Sequence, residues 1–178
     1  AVARSAWIRS PELRIWYWGG WAILGGFVGL AARLTVPEWI SILVGNGLIQ
    51  IGMAIYARAI YRFVAQSEPP RWITGFTVLA LIALALMLPW PLHQRTSVLS
   101  FLFIVPLVPC AWLIYRHAWH AERSLRSIAF TFSLCIVALL VRGVHAWLSP
   151  QEYTNLLQAS FGQGGTFLMA FVALLGAG

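Results

Sequence analysis

Apolar residues run along this chain in long blocks, and most polar residues sit between the blocks. Six blocks can be drawn, over residues 15–32, 36–64, 72–92, 97–119, 125–148 and 153–178. A helix crosses a bilayer in about 20 residues, because a rise of about 1.5 Å per residue must cover about 30 Å of hydrocarbon. Each block is close to or above that length. The stretches between them are short, so consecutive helices run antiparallel. They leave no room for a sheet or an extramembrane domain, and no repeat of solenoid length appears. The pattern predicts an all-α fold: a polytopic transmembrane helical bundle of six spans, forming one domain over residues 1–178.

Composition strengthens this picture. Of 178 residues, 60% are hydrophobic and 10% charged, with mean hydropathy +0.78. A soluble domain needs more charge on its surface. All twelve basic residues are arginine. Nine of them (Arg4, Arg9, Arg14, Arg58, Arg62, Arg71, Arg116, Arg123, Arg126) fall at block ends sharing one side of a membrane, and Arg33, Arg95 and Arg142 fall toward the other. Short loops rich in Lys and Arg stay in the cytoplasm. The expected topology is therefore multi-pass, with the last block leaving on the cytoplasmic side. Trp39, Trp90 and Trp147 at one set of edges, and Trp16, Trp72 and Trp119 at the other, match the interfacial preference of amphipathic rings. The net charge of +7 forms no basic stripe, so no nucleic-acid partner is expected. The expected partner is the lipid bilayer. Cys110 and Cys135 lie inside apolar blocks and read as inert buried thiols. The chain starts without methionine and ends inside an apolar run, which suits a piece of a longer protein.

A few polar residues sit where hydrocarbon offers no partner. Asn46 and Gln50, four apart, share a helical face in the second block, among Gly45, Gly47 and Gly52. Either they tie helices together through an interhelical hydrogen bond, or they line a polar ligand pocket. Arg142 and His145 share a face in the fifth block, near its outer end. Arg142 either snorkels to the interface or lines a watery cavity, with Glu38 as a possible partner. Gln163 in the last block lies at a depth like that of Asn46. Asn46, Gln50, Arg142, His145, Gln163 and Glu38 are thus the candidate ligand-binding set.

Pro106 and Pro109 remove amide donors from the fourth block and predict a kink. Gly25 and Gly29 form a GxxxG, with Gly19 and Gly20 below it in the same block and Gly162, Gly164 and Gly165 in the last block. Such small residues allow close helix approach. No cofactor is expected. Haem or metal held by His93, His117, His120 and His145 is the alternative, but a bis-histidine haem needs both ligands at one depth on facing helices. No nucleophile–base pair, phosphate loop or carboxylate pair appears, and aspartate is absent, so no catalytic activity is expected of this chain.

Three runs carry a family resemblance: Leu13-Arg-Ile-Trp-Tyr-Trp-Gly-Gly20, Val36-Pro-Glu-Trp-Ile-Ser-Ile-Leu-Val-Gly-Asn46 and Ala59-Ile-Tyr-Arg-Phe63. They resemble the N-terminal multi-span membrane sensor found ahead of GGDEF (diguanylate cyclase) domains in proteobacteria. Leu140-Val-Arg142 and the Gly/Phe-rich last block are also similar. The chain departs from that pattern at Gly19, where asparagine is usual, and at Gly45 before the asparagine. The resemblance implies a transmembrane sensory and dimerisation module, a homodimer, and a small-molecule or periplasmic signal. It also implies one more helix upstream, seven spans in all, and a cytoplasmic cyclase downstream making cyclic di-GMP. From another class, the tryptophans and histidines suit a small integral subunit or cofactor-binding protein of a larger membrane complex. A small transporter is a third reading, without the inverted repeat such proteins carry.

Overall fold

The computed structural model describes residues 11–117 and 123–148. Among them are five α-helices and no strand: α1 Pro11–Ala31, α2 Glu38–Val64, α3 Arg71–Leu86, α4 Leu92–His117 and α5 Arg123–Leu148. They belong to two compact units, one ending at Leu88 and the other beginning at Pro89.

Three of the helices are long and apolar enough to cross a membrane: α2, α4 and, from Leu125, α5. That makes the chain a membrane protein by length and composition. It also corrects the expectation of six spans. The first block forms a 21-residue helix, yet Arg14, three tryptophans, Tyr17 and five glycines dilute its hydropathy below that of a span. The third block stops early. Its helix has 16 residues, about 24 Å of rise, short of the roughly 30 Å required. The chain turns at Met87–Trp90 because Pro89 and Pro91 donate no amide and push the residues before them out of helical geometry. The sixth block, 153–178, lies outside the described residues.

Local chemistry sets the helix ends. Pro11 opens α1, where its missing donor costs nothing and its fixed φ suits the first turn. Glu12 follows and complements the helix dipole. At the far end, the Thr35 amide and hydroxyl both donate to the Ala32 carbonyl, at 2.8 and 2.9 Å. Pro37 and Pro70, both extended, precede α2 and α3. After α2 the chain reverses through Gln66, whose φ of 48° is left-handed, and the Ser67 amide reaches back to the Tyr61 carbonyl at 3.3 Å.

In the first unit, α1 and α2 pack antiparallel through glycines. A Cβ on Gly26 would lie 2.6 Å from the Gly45 carbonyl oxygen, and one on Gly52 would lie 2.8 Å from the Gly19 oxygen. Both are closer than real Cβ atoms approach, so the backbones touch. Ser41 of α2 donates to the Gly29 carbonyl at 2.6 Å, in the last turn of α1. In the second unit, α4 and α5 pair through side chains. Phe103, Leu107, Cys110 and Ile114 of α4, and Ala129, Phe132, Leu139 and Ala146 of α5, are all buried. Tyr115 and Ser133 share a hydrogen bond at 3.1 Å. Helix α4 runs unbroken through Pro106 and Pro109.

Candidate buried polar face of α2

Helix α2 carries two neighbouring stripes. Gly45, Ile49, Gly52 and Tyr56 face α1, as their contacts with Gly19, Ile23, Gly26 and Leu30 show. One residue on, about 100° around the helix, Asn46, Gln50, Met53 and Ala57 form a second buried stripe. The spacing of four, three and four residues keeps each set on one face.

Asn46 is 9% exposed and its Nδ2 donates to the Ile42 carbonyl of its own helix at 3.0 Å. Gln50, one turn later, is 3% exposed. Its Nε2 and Oε1 are both buried with no hydrogen-bond partner among the described residues. The position adds weight. Gln50 lies 12 residues from the start of α2 and 14 from its end, so it stands at the midpoint of a candidate span. An unsatisfied buried amide costs about 1–3 kcal/mol. The group offers one acceptor and two donors.

The other expected site residues lie elsewhere. Glu38 is the first residue of α2, exposed and about 18 Å along the helix from Gln50. Arg142 and His145 lie on α5, in the second unit, Arg142 partly buried and His145 exposed. Gln163 is outside the described residues. The structure therefore joins Asn46 to Gln50 on one stripe, separates Glu38 from them along the helix, and pairs Arg142 with His145 on another helix. Among the histidines, His93 and His117 stand near opposite ends of α4, about 36 Å apart, so they share no ion. His117 Nδ1 lies 3.3 Å from the Leu113 carbonyl. His120 is outside the described residues. Among those residues no group of three His, Cys, Asp or Glu side chains is placed to hold a metal.

Two features had no counterpart in the sequence reading. Tyr56 is 2% exposed and stacks on Trp16 with ring centroids 4.3 Å apart. Its buried hydroxyl has no hydrogen-bond partner among the described residues and lies beside Gly20. The signal was Gly19 and Gly20 facing an aromatic residue across a hairpin, whereas Trp16 read as an interfacial marker. The second feature is Glu68. Arg62 Nε donates to its Oε1 at 2.9 Å, Arg62 Nη2 also donates to Oε1, and Arg58 Nη2 pairs with Oε2 at 3.6 Å. The Arg62 guanidinium holds the Glu68 carboxyl below the usual carboxylate range. A lone acid in an arginine-rich turn was the available sign.

These helices define a class, a helical membrane protein with a buried amide stripe at the middle of one span. Compared with protein families, curated proteins and solved structures, the chain matches none.

Proposed function

We propose that the chain is the transmembrane sensory and dimerisation module of a signalling protein, which regulates a diguanylate cyclase on the cytoplasmic side of a bacterial inner membrane. The observation that carries this reading is Gln50. A polar side chain without a partner at mid-span is costly to keep, and intramembrane polar residues mark ligand paths and switches. The motifs around Trp16, Asn46 and Phe63 support the sensor reading. The signal is a small uncharged molecule presenting a donor beside an acceptor, which matches the free amide of Gln50. Dimerisation couples the signal to output, since two GTP-bound subunits must meet to cyclise.

The test is expression of the full-length gene with cyclic di-GMP as readout. Gln50→Leu removes the unpaired amide, so it should raise the unfolding free energy in detergent by about 1–3 kcal/mol. The same variant should lose at least tenfold of the signal response. A variant that responds like the wild type removes Gln50 from the site. A reading frame that encodes no output domain overturns the function itself.

A further inference from the structure

Two arginines at the C-terminal end of α2 meet one acid in the turn that follows. Arg58 and Arg62 are four residues apart and so share one helical face. Each approaches a different oxygen of the Glu68 carboxylate, Arg62 at Oε1 and Arg58 at Oε2. Two guanidinium groups thus straddle a single negative charge spread over two oxygens. A phosphodiester presents the same pattern, two non-bridging oxygens sharing one charge, and arginine forks suit both.

Glu68 is poorly placed to keep the arginines to itself. Its side chain is 63% exposed, and exposed ion pairs are weak and easily exchanged. The surroundings fix the depth. Phe63, in the last turn of α2, and Trp72, in the first turn of α3, are both exposed, and aromatic side chains at the end of a span mark the headgroup layer. Arg62, Phe63, Gln66, Ser67 and Glu68 line an open depression there, with Glu12 of α1 on its wall. Gln66 and Ser67 add neutral polar groups. Glu12 adds a second carboxylate that moderates anion affinity.

We propose that Arg58 and Arg62 bind the phosphodiester of an anionic phospholipid headgroup, and that Glu68 is a tethered competitor for the same two guanidinium groups. The proposal rests on α2 spanning the membrane and is independent of any output domain, so it stands or falls apart from the signalling function.

The whole chain in detergent micelles, titrated with short-chain phosphatidylglycerol and read by native mass spectrometry, tests it. Glu68→Gln should tighten binding about threefold, the strength of an exposed ion pair. Arg58→Gln with Arg62→Gln should weaken it about thirtyfold, from two interfacial arginines. Arg58→Lys with Arg62→Lys, which keeps the charge but loses the fork, should fall between. Phosphatidylcholine with the same acyl chains has the same phosphodiester but a choline cation that offsets its charge, so it should bind more weakly and respond less to each of these changes. Circular dichroism of each variant separates lost binding from lost helix, and the exposed Glu68→Gln keeps the test alive if the arginine variants unfold. Unchanged phosphatidylglycerol affinity in Glu68→Gln, or in folded Arg58→Gln/Arg62→Gln, overturns the proposal. So does displacement of the lipid by millimolar inorganic phosphate, which would assign the arginines to a soluble anion.

Discussion

The two helical pairs solve one problem in opposite ways. Helices α1 and α2 meet through backbone, with Gly19 and Gly26 of one against Gly45 and Gly52 of the other. Helices α4 and α5 meet through side chains, with Phe132, Ile114 and Leu139 buried between or beside them. In lipid the hydrophobic effect gives little reason for helices to associate, because the tails are as apolar as the side chains. Association then depends on dispersion and packing. The first pair gains it by close approach, the second by bulk. Removing volume should therefore harm the second pair, and adding volume the first.

The largest expected effect tests that crossover. Phe132→Ala should leave a cavity and cost about 3 kcal/mol in a detergent unfolding titration. Gly26→Ala should cost about 1–3 kcal/mol, since its methyl group meets the Gly45 carbonyl and must push the backbones apart. Equal tolerance of both substitutions would erase the distinction between the pairs.

A smaller effect of opposite sign sharpens it. A Cβ on Gly75 of α3 meets nothing within 4 Å. Gly75→Ala should stabilise by about 0.5–1 kcal/mol, because alanine is the better helix former. Destabilisation there would mean that glycine in this protein serves something besides close packing.

The smallest effect concerns pH. The folded-state pKa of Glu68 is lowered by Arg62, so its contribution is present above the unfolded carboxylate value. It is lost as pH falls through the lowered folded value. Acidification through that range should release the link between Glu68 and the end of α2, seen as a shift in the Glu68 carboxyl carbon resonance. Arg62→Gln should move that titration upward, toward the ordinary value. A midpoint unmoved by Arg62→Gln would show that the pair does not form in solution.

Much of the fold was legible in the sequence. The second block, 36–64, matches Glu38–Val64 within two residues at its start, because Pro37 and the polar turn after Val64 are unambiguous signals. The fifth block, 125–148, was equally clear. The third was overextended, since Pro89 and Pro91 sit inside an apolar run that hydropathy alone carries onward. The first reads as a span by its length, yet its tryptophans, Tyr17 and glycines carry little hydropathy. In the glycine seam, the GxxxG of Gly25 and Gly29 drew attention, yet Gly25 reaches only Leu48 at an ordinary 3.6 Å. The close approach uses glycines seven apart, Gly19 with Gly26 and Gly45 with Gly52, a spacing that repeats every two turns. Asn46 and Gln50 were found because depth and face follow from position. Whether Arg142 joins them does not follow from position, since it depends on which helices are neighbours.

The glycine seam has a mechanical consequence. Side chains that interlock can change rotamer and let two helices slip, but a backbone pressed on a backbone has no alternative arrangement to adopt. With Ser41 pinned to Gly29 at one end and Trp16 stacked on Tyr56 toward the other, α1 and α2 should move as one stiff rod. A tilt at the Ser41 end then reaches Arg58 and Arg62 undiminished, and displacement is conserved along the pair instead of being absorbed within it.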